Sequence, residues 1–208
     1  MLAAVAAIAV VVGVGGGGWW YFAHRVVVKP FPINSQDTIS SWTFKGGADG
    51  NQQLTDQSQT DLAKLKGLLG KGEFDDYSIY NGIANDDNLL GDGKGAYDAL
   101  NHAIALYPNQ GLAYANLGNL LGNMGALYTA ADAYAAAVHA EPSVLAYHVE
   151  RLQFLTQKLP KETDAVQAAL KDSHNQFGDT PAILAIEAEW LEGQGKYAEA
   201  VSAWQTAL

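Results

Sequence analysis

Apolar residues recur three and four positions apart from Leu54 onward, which is the spacing that places side chains on one face of an α-helix. The first run consists of Leu54, Leu62, Leu65, Leu68 and Leu69. It is interrupted at Lys71-Gly72, and the pattern then predicts a short helix over residues 75–84, a turn-rich loop over 85–93 and a helix over 94–106. This part of the chain is therefore predicted to be all-α.

The helical pattern repeats along the chain. One copy consists of Gly91, Ala96, Leu100, Ala103 and Pro108, and the next consists of Gly125, Ala130, Tyr134, Ala137 and Pro142. The offset between Gly91 and Gly125 is 34 residues, and a period of this length with two helices per unit is typical of a solenoid. One unit cannot bury its apolar face alone, so at least three must stack.

A further copy lies nearer the C-terminus, where Gly195, Tyr197, Ala200, Trp204 and Ala207 match the copy at Gly125 after 70 residues. Because 70 residues are two periods of about 35, an irregular unit must lie between them. The predicted regular repeats cover about residues 77–110, 111–144 and 181–208, and the irregular repeat covers about 145–180. Within it, helices are expected over about 143–157 and 163–177, ended by Pro160 and Gly178.

Residues 111–144 resemble a tetratricopeptide repeat (TPR). The matching positions are Tyr114, Leu117, Gly118, Leu121, Gly125, Ala130, Tyr134, Ala137 and Pro142. Residues 77–110 resemble a second unit, but Asp87 stands where an aromatic residue or leucine is usual, which predicts a shortened first helix. The resemblance covers residues 54–208 and implies an all-α, right-handed α-solenoid of helix-turn-helix repeats that binds other proteins and is not an enzyme.

In the TPR family the first helices of successive repeats line a concave groove. The residues that resemble groove positions here are Asn81, Asn85, Leu112, Asn116, Asn119 and Asn123. An asparagine side chain both donates and accepts hydrogen bonds, which suits the backbone of an extended peptide. Family members that bind a terminal carboxylate use lysine and arginine where this chain has Asn81, Ala146 and Glu150, so an acidic ligand is disfavoured. The alternative is that the asparagines only keep an exposed helix face solvated.

The N-terminal segment Leu2 to Phe22 contains no charged residue and, as a helix, would be about 31 Å long, which predicts a transmembrane anchor over residues 1–23. The alternative is a cleaved signal peptide, but a charged start and an Ala-x-Ala site are missing. Arg25 and Lys29 favour a cytoplasmic solenoid, whereas a single N-terminal segment before an acidic domain favours export. We expect a single-pass membrane protein with an extracytoplasmic solenoid, and the cytoplasmic orientation stays open.

Residues 24–53 are predicted to be a linker, with a short extended stretch over 38–45, because proline, glycine and polar residues dominate there. Trp42 and Phe44 stand out as apolar residues within it. We expect them to pack on the first helix of the solenoid, and the alternative is that they dock on a partner.

Composition narrows the functional classes further. The net charge of −10 disfavours nucleic acid as a partner, and the absence of cysteine excludes disulfides and zinc-thiolate sites. The five histidines lack the spacing of a zinc site, no phosphate-binding or nucleophile motif is present, and Leu90 breaks the calcium-loop spacing that starts at Asp86. We therefore expect no catalytic residue, no metal and no cofactor.

Two functions fit these expectations. The first is a membrane-anchored scaffold whose groove binds a peptide segment of a partner protein. The second is a structural subunit of a larger membrane or envelope assembly, which forms homo- or hetero-oligomers through the C-terminal repeat, because that repeat ends without a capping helix. The whole chain resembles uncharacterised bacterial single-pass TPR proteins, a resemblance that names no ligand.

Overall fold

A computed structural model describes residues 27–207 of the 208-residue chain. Within these residues the helices are α1 (Gln52–Leu68), α2 (Asp76–Leu90), α3 (Gly93–Leu106), α4 (Gly111–Asn123), α5 (Leu127–Ala140), α6 (Leu145–Lys158), α7 (Thr163–Phe177), α8 (Pro181–Gly193) and α9 (Tyr197–Ala207). The predicted anchor over residues 1–23 lies outside the described residues. Between residues 27 and 207, none of the helices combines the length and the apolar character needed to cross a membrane.

The helices from α2 onward form four hairpins, which pair α2 with α3, α4 with α5, α6 with α7 and α8 with α9. The first helices of the hairpins also contact one another in the order α2, α4, α6 and α8, so they form a continuous layer. Helix α1 contacts α2 but no other helix in the described part of the chain. This arrangement is a solenoid of helical hairpins, as the period predicts.

The repeated glycines make the turns inside three of the hairpins. Gly91, Gly125 and Gly195 have φ angles of 79°, 79° and 75°, a conformation that residues with a Cβ atom rarely adopt. The alanines that recur with them are at the helix contacts: Ala96, Ala103, Ala130 and Ala137 are all completely buried. The period therefore reflects one tight turn and one close helix crossing in each regular unit.

Helix α2 is longer than the sequence pattern predicts. It continues without a break to Leu90, so the loop predicted over residues 85–93 is wrong except for the turn at its end, and the first helix is not shortened at Asp87. Tertiary packing overrides the weak helix propensity of the asparagine and aspartate residues, since Ile83, Ala84 and Asp87 are all buried. The Asp87 carboxylate fits beside Gly95 of α3, where a Cβ atom would lie only 2.6 Å from its Oδ2.

Residues 27–51, here called the strap, lie against the solenoid, although they were expected to form a linker. The backbone N–H of Phe31 donates to Asn101 Oδ1 of α3 at 2.6 Å, and the Tyr97 hydroxyl donates back to the Phe31 carbonyl. The Asn34 N–H donates to Thr129 Oγ1 of α5 at 3.0 Å. Helices α3 and α5 do not contact each other, and the strap bonds to both of them.

The second half of the strap follows the turn between α2 and α3. Trp42 packs on Tyr97 of α3 with ring centroids 5.0 Å apart, not on α1 as expected, and its carbonyl accepts from the Gly93 N–H at 2.8 Å. The Phe44 N–H donates to the Gly91 carbonyl at 3.1 Å. The extended stretch predicted over residues 38–45 is reduced to one antiparallel bridge, between Thr43 and Asp92.

Two helices of the second hairpin receive their N-terminal caps from distant parts of the chain. Neither α4 nor α5 has a capping hydrogen bond from its own N-cap side chain. Instead, Glu141 accepts from the Gly111 N–H at the start of α4 at 2.6 Å, and Asp37 of the strap accepts from the Thr129 N–H of α5 at 2.6 Å. A carboxylate at these positions satisfies free N–H groups and also opposes the positive end of the helix dipole.

Candidate peptide-binding groove

An open cavity of about 380 Å³, here called the groove, lies between the first helices α4 and α6. Its walls are Leu112, Ala115, Asn116 and Asn119 of α4, and Tyr147, Glu150, Gln153, Gln157 and Lys158 of α6; Tyr134 and Phe154 also line it. The groove thus combines an aromatic surface with amide side chains, and it carries one carboxylate and one ammonium group.

Two glycines of α4 allow the aromatic rings to lie close to the helix. A Cβ atom at Gly118 would be 2.8 Å from the Tyr134 ring, and one at Gly122 would be 2.9 Å from the Phe154 ring. The two rings pack on each other with centroids 5.1 Å apart. Because Gly118 and Gly122 are one helical turn apart, they expose a strip of backbone on which both rings rest. Tyr134 belongs to α5, the second helix of the α4–α5 hairpin, so this helix also contributes a buried ring to the groove.

Four of the five predicted asparagines form two hydrogen-bonded pairs on α2 and α4, Asn81 with Asn116 and Asn119 with Asn123. Asn81 is buried, donates to the Tyr77 carbonyl at 2.9 Å and accepts from Asn116 Nδ2 at 3.0 Å. Its amide therefore holds Asn116 in place across two repeats and is not itself open to a ligand. Asn116 and Asn119 line the groove and also a neighbouring cavity of about 70 Å³, whose lining includes Asn85.

The other two predicted residues differ in their relation to the groove. Leu112 lines it and is 45% exposed, so its side chain is available for contact. Asn123 does not line it; its Nδ2 donates to Asn119 Oδ1 at 3.2 Å and positions that residue. Of the six predicted residues, three line the groove, Asn85 lines the adjoining cavity, and two orient groove asparagines.

The residues on α6 are missing from the sequence-based set. Helix α6 belongs to the irregular repeat, where the family comparison points only to Ala146 and Glu150, and of these two only Glu150 lines the groove. A signal was nevertheless present, because Tyr147, Glu150, Phe154 and Gln157 are spaced by three, four and three residues, which places them on one helix face. That face is the α6 side of the groove.

Glu150 places a carboxylate in the same groove as the aromatic residues. Burial raises the pKa of Glu150 above its ordinary value, and no lysine or arginine nitrogen lies within 4.0 Å of its carboxylate among residues 27–207. Burial raises the pKa of Tyr134 to about 12, and the Glu150 charge adds to this, while a hydrogen bond with Asn119 opposes it. Burial also raises the pKa of Tyr147 to about 12, with contributions from Glu141 and Glu150.

Solved structures of MamA, a TPR-like protein, have a similar fold. The structure titled "Crystal structure of MamA" is 17% identical with a TM-score of 0.57 over 74% of this chain and 91% of that chain. "Crystal structure of MamA protein" is 17% identical with a TM-score of 0.56, covering 75% and 87%, and "MamA MSR-1 C2" is 14% identical with a TM-score of 0.51, covering 74% and 90%. No protein-family model and no curated protein matches the sequence. The chain therefore has a TPR-like fold.

Proposed function

We propose that this protein is an interaction scaffold whose groove between α4 and α6 binds an extended segment of a partner protein. The observation that carries the proposal is the lining itself, in which the amides of Asn119, Gln153 and Gln157 lie beside an aromatic surface. Amides of this kind can pair with a peptide backbone, and the aromatic surface can bury side chains. Helix α6 is 14 residues long, about 21 Å, which matches about six residues of extended peptide.

The test is selection of a random peptide library on the full chain, followed by affinity measurements. The double variant Asn119→Ala/Gln157→Ala removes one amide from each wall and should weaken the selected peptides by at least about 10-fold, since each lost hydrogen bond contributes about 1 kcal/mol. The matched control is Asn175→Ala/Gln176→Ala, which removes the same two residue types from exposed positions on α7. Peptides that bind both double variants equally well would place the binding site elsewhere.

The second candidate function is self-association through the last hairpin, and the exposure of α9 supports it. Tyr197 and Val201 are 68% and 53% exposed. The residues 70 positions earlier, Leu127 and Ala131, are partly buried against the core. Sedimentation of the full chain over a range of concentrations, compared with Tyr197→Ser/Val201→Ser, tests this function. A chain that stays monomeric at every concentration would exclude it.

We also propose that residues 1–23 anchor the scaffold in a membrane with the solenoid outside the cytoplasm. The strap is attached to α3 from Phe31 onward, nine residues after Phe22, so the side of the solenoid that carries the strap would lie within about 30 Å of the bilayer. The chain has no cysteine, so Glu189→Cys gives a single labelling site at an exposed position. An impermeant maleimide is expected to label the Glu189→Cys variant in intact cells. Release of the protein from membranes by carbonate would contradict the anchor.

A further inference from the structure

Glu150 occupies an unusual place in the groove, next to aromatic rings and apart from any cation. It lies three residues after Tyr147 and four before Phe154, and all three line the groove. Its neighbour Arg151 faces α7 instead, where its guanidinium bonds Asp172 at 3.3 Å. The Glu150 carboxylate therefore has no basic partner within ion-pair distance in the described part of the chain.

The surroundings of Glu150 favour a positive charge supplied from outside. The Glu150 side chain is exposed to solvent, so a ligand can reach its carboxylate, and desolvation by the surrounding groove raises its pKa. Its charge also contributes to the raised pKa values of Tyr134 and Tyr147, and both tyrosines line the same groove. Aromatic rings attract cations through their negative faces, so the rings and the carboxylate favour the same kind of ligand group.

The other charges near the groove do not satisfy Glu150. Glu141 already accepts the Gly111 N–H at the start of α4. Lys158 lies eight residues further along α6, about 12 Å away along the helix axis, at the end of the groove. The net charge of −10 adds a long-range attraction for basic ligands.

We infer that the groove binds basic peptides and seats one lysine or arginine side chain of the partner against Glu150, beside the rings of Tyr134 and Tyr147. This inference rests on the proposed function and specifies its ligand. A neutral or acidic peptide in the same groove is the alternative occupant.

The experiment uses the peptides that the library selection yields on the full chain. Groove binders are those weakened by Asn119→Ala/Gln157→Ala but not by Asn175→Ala/Gln176→Ala. Each groove binder is expected to carry a lysine or arginine, and replacing that residue by glutamine should weaken binding about 2- to 5-fold. Glu150→Gln should cause a similar loss that shrinks at high salt, because charge pairing is screened.

Three comparisons keep the result specific. Glu189→Gln removes an exposed carboxylate on α8, outside the groove, and should leave affinity unchanged. Glu150→Gln combined with the glutamine peptide should cost no more than either change alone, because both remove the same interaction. Glu150→Lys should restore binding of a peptide whose basic residue is replaced by glutamate.

The possible results distinguish the preference for basic peptides from peptide binding in the groove itself. Groove binders that lack a basic residue, or that bind Glu150→Gln as well as the wild type, would overturn the inference and leave the peptide-binding groove intact. If no selected peptide responds to the Asn119→Ala/Gln157→Ala variant, the proposed function fails and the inference fails with it.

Discussion

Replacing Asp37 with alanine tests whether the strap stabilises the second hairpin. Helix α5 begins after Ala126, which offers no side-chain cap, so the Asp37 carboxylate takes that place. Its Oδ1 accepts from the Tyr128 N–H at 3.3 Å, and its Oδ2 accepts from both the N–H and the hydroxyl of Thr129 at 2.6 Å. Thr129 is completely buried, so water cannot replace the lost acceptor without a rearrangement of the strap.

The expected loss follows from these contacts. Removal of an N-cap costs about 1 kcal/mol, and a buried donor left without an acceptor costs about 1–3 kcal/mol. The Asp37→Ala variant should therefore lose about 2–4 kcal/mol of unfolding free energy. For a chain of this size each kcal/mol lowers Tm by about 2–4 °C, so Tm should fall by about 5–15 °C. Asp37→Asn keeps one acceptor without the charge and should lose about half as much.

Thermal and urea unfolding, followed by circular dichroism, measure the loss. The control is Asp49→Asn, which removes another strap carboxylate; its ion pair with Lys45 at 3.2 Å is exposed on both sides and contributes less than about 1 kcal/mol. Limited proteolysis should also cut the strap faster in the Asp37→Ala variant. If Asp37→Ala unfolds at the same temperature as Asp49→Asn, the strap does not stabilise the solenoid in the way that the hydrogen bonds suggest.

Two further predictions concern the interior. Burial raises the pKa of Asp87 to about 6, with Lys66 opposing the shift from 3.9 Å; the folded state therefore binds the proton more tightly than the unfolded state. The stability that protonated Asp87 contributes is fully present below about pH 4 and is lost as the pH rises through 6. Asp87→Asn should flatten that dependence and add about 1–3 kcal/mol at pH 8 in urea titrations; an unchanged pH profile would exclude the group as its source. Gly118→Ala places a methyl group 2.8 Å from the Tyr134 ring and should lower stability by about 1–3 kcal/mol. At Gly193, where a Cβ atom would meet nothing within 4 Å, alanine should stabilise α8 by up to about 1 kcal/mol; equal effects at the two sites would contradict the close packing.

The hairpins could be predicted from the sequence because their determinants are local and periodic. Gly91 and Gly125 are turn residues with positive φ, and Ala130 and Ala137 lie at a close helix crossing. Each of these residues acts within its own unit, so the same pattern returns when the unit returns. The loop predicted over residues 85–93 is wrong because its determinant is not local. The burial of Asp87 against α3 is a tertiary contact, which helix propensity does not contain.

The groove is predictable only in part for the same reason. The asparagines of α4 fall on family positions, but α6 belongs to the irregular repeat, and the carboxylate that distinguishes this groove, Glu150, matters because of what packs around it. The repeat pattern therefore predicts the fewest groove residues in the irregular repeat. That repeat also supplies Glu150, the residue that makes the chemistry of this groove specific to this chain.

The shape of the groove depends on two carboxylates that no repeat pattern contains. Helix α4 forms one wall, and its first N–H is bound by Glu141, 30 residues away. Helix α5 supplies the Tyr134 ring, and its first turn is bound by Asp37, 92 residues from Thr129. Both helices lack side-chain caps of their own, so their ends are positioned by segments outside them. The strap lies against α3 and the start of α5, yet through α5 it is mechanically connected to the aromatic surface of the groove, five residues beyond Thr129. The second hairpin is thus held from two directions, and the groove takes its geometry from the strap as well as from the repeats.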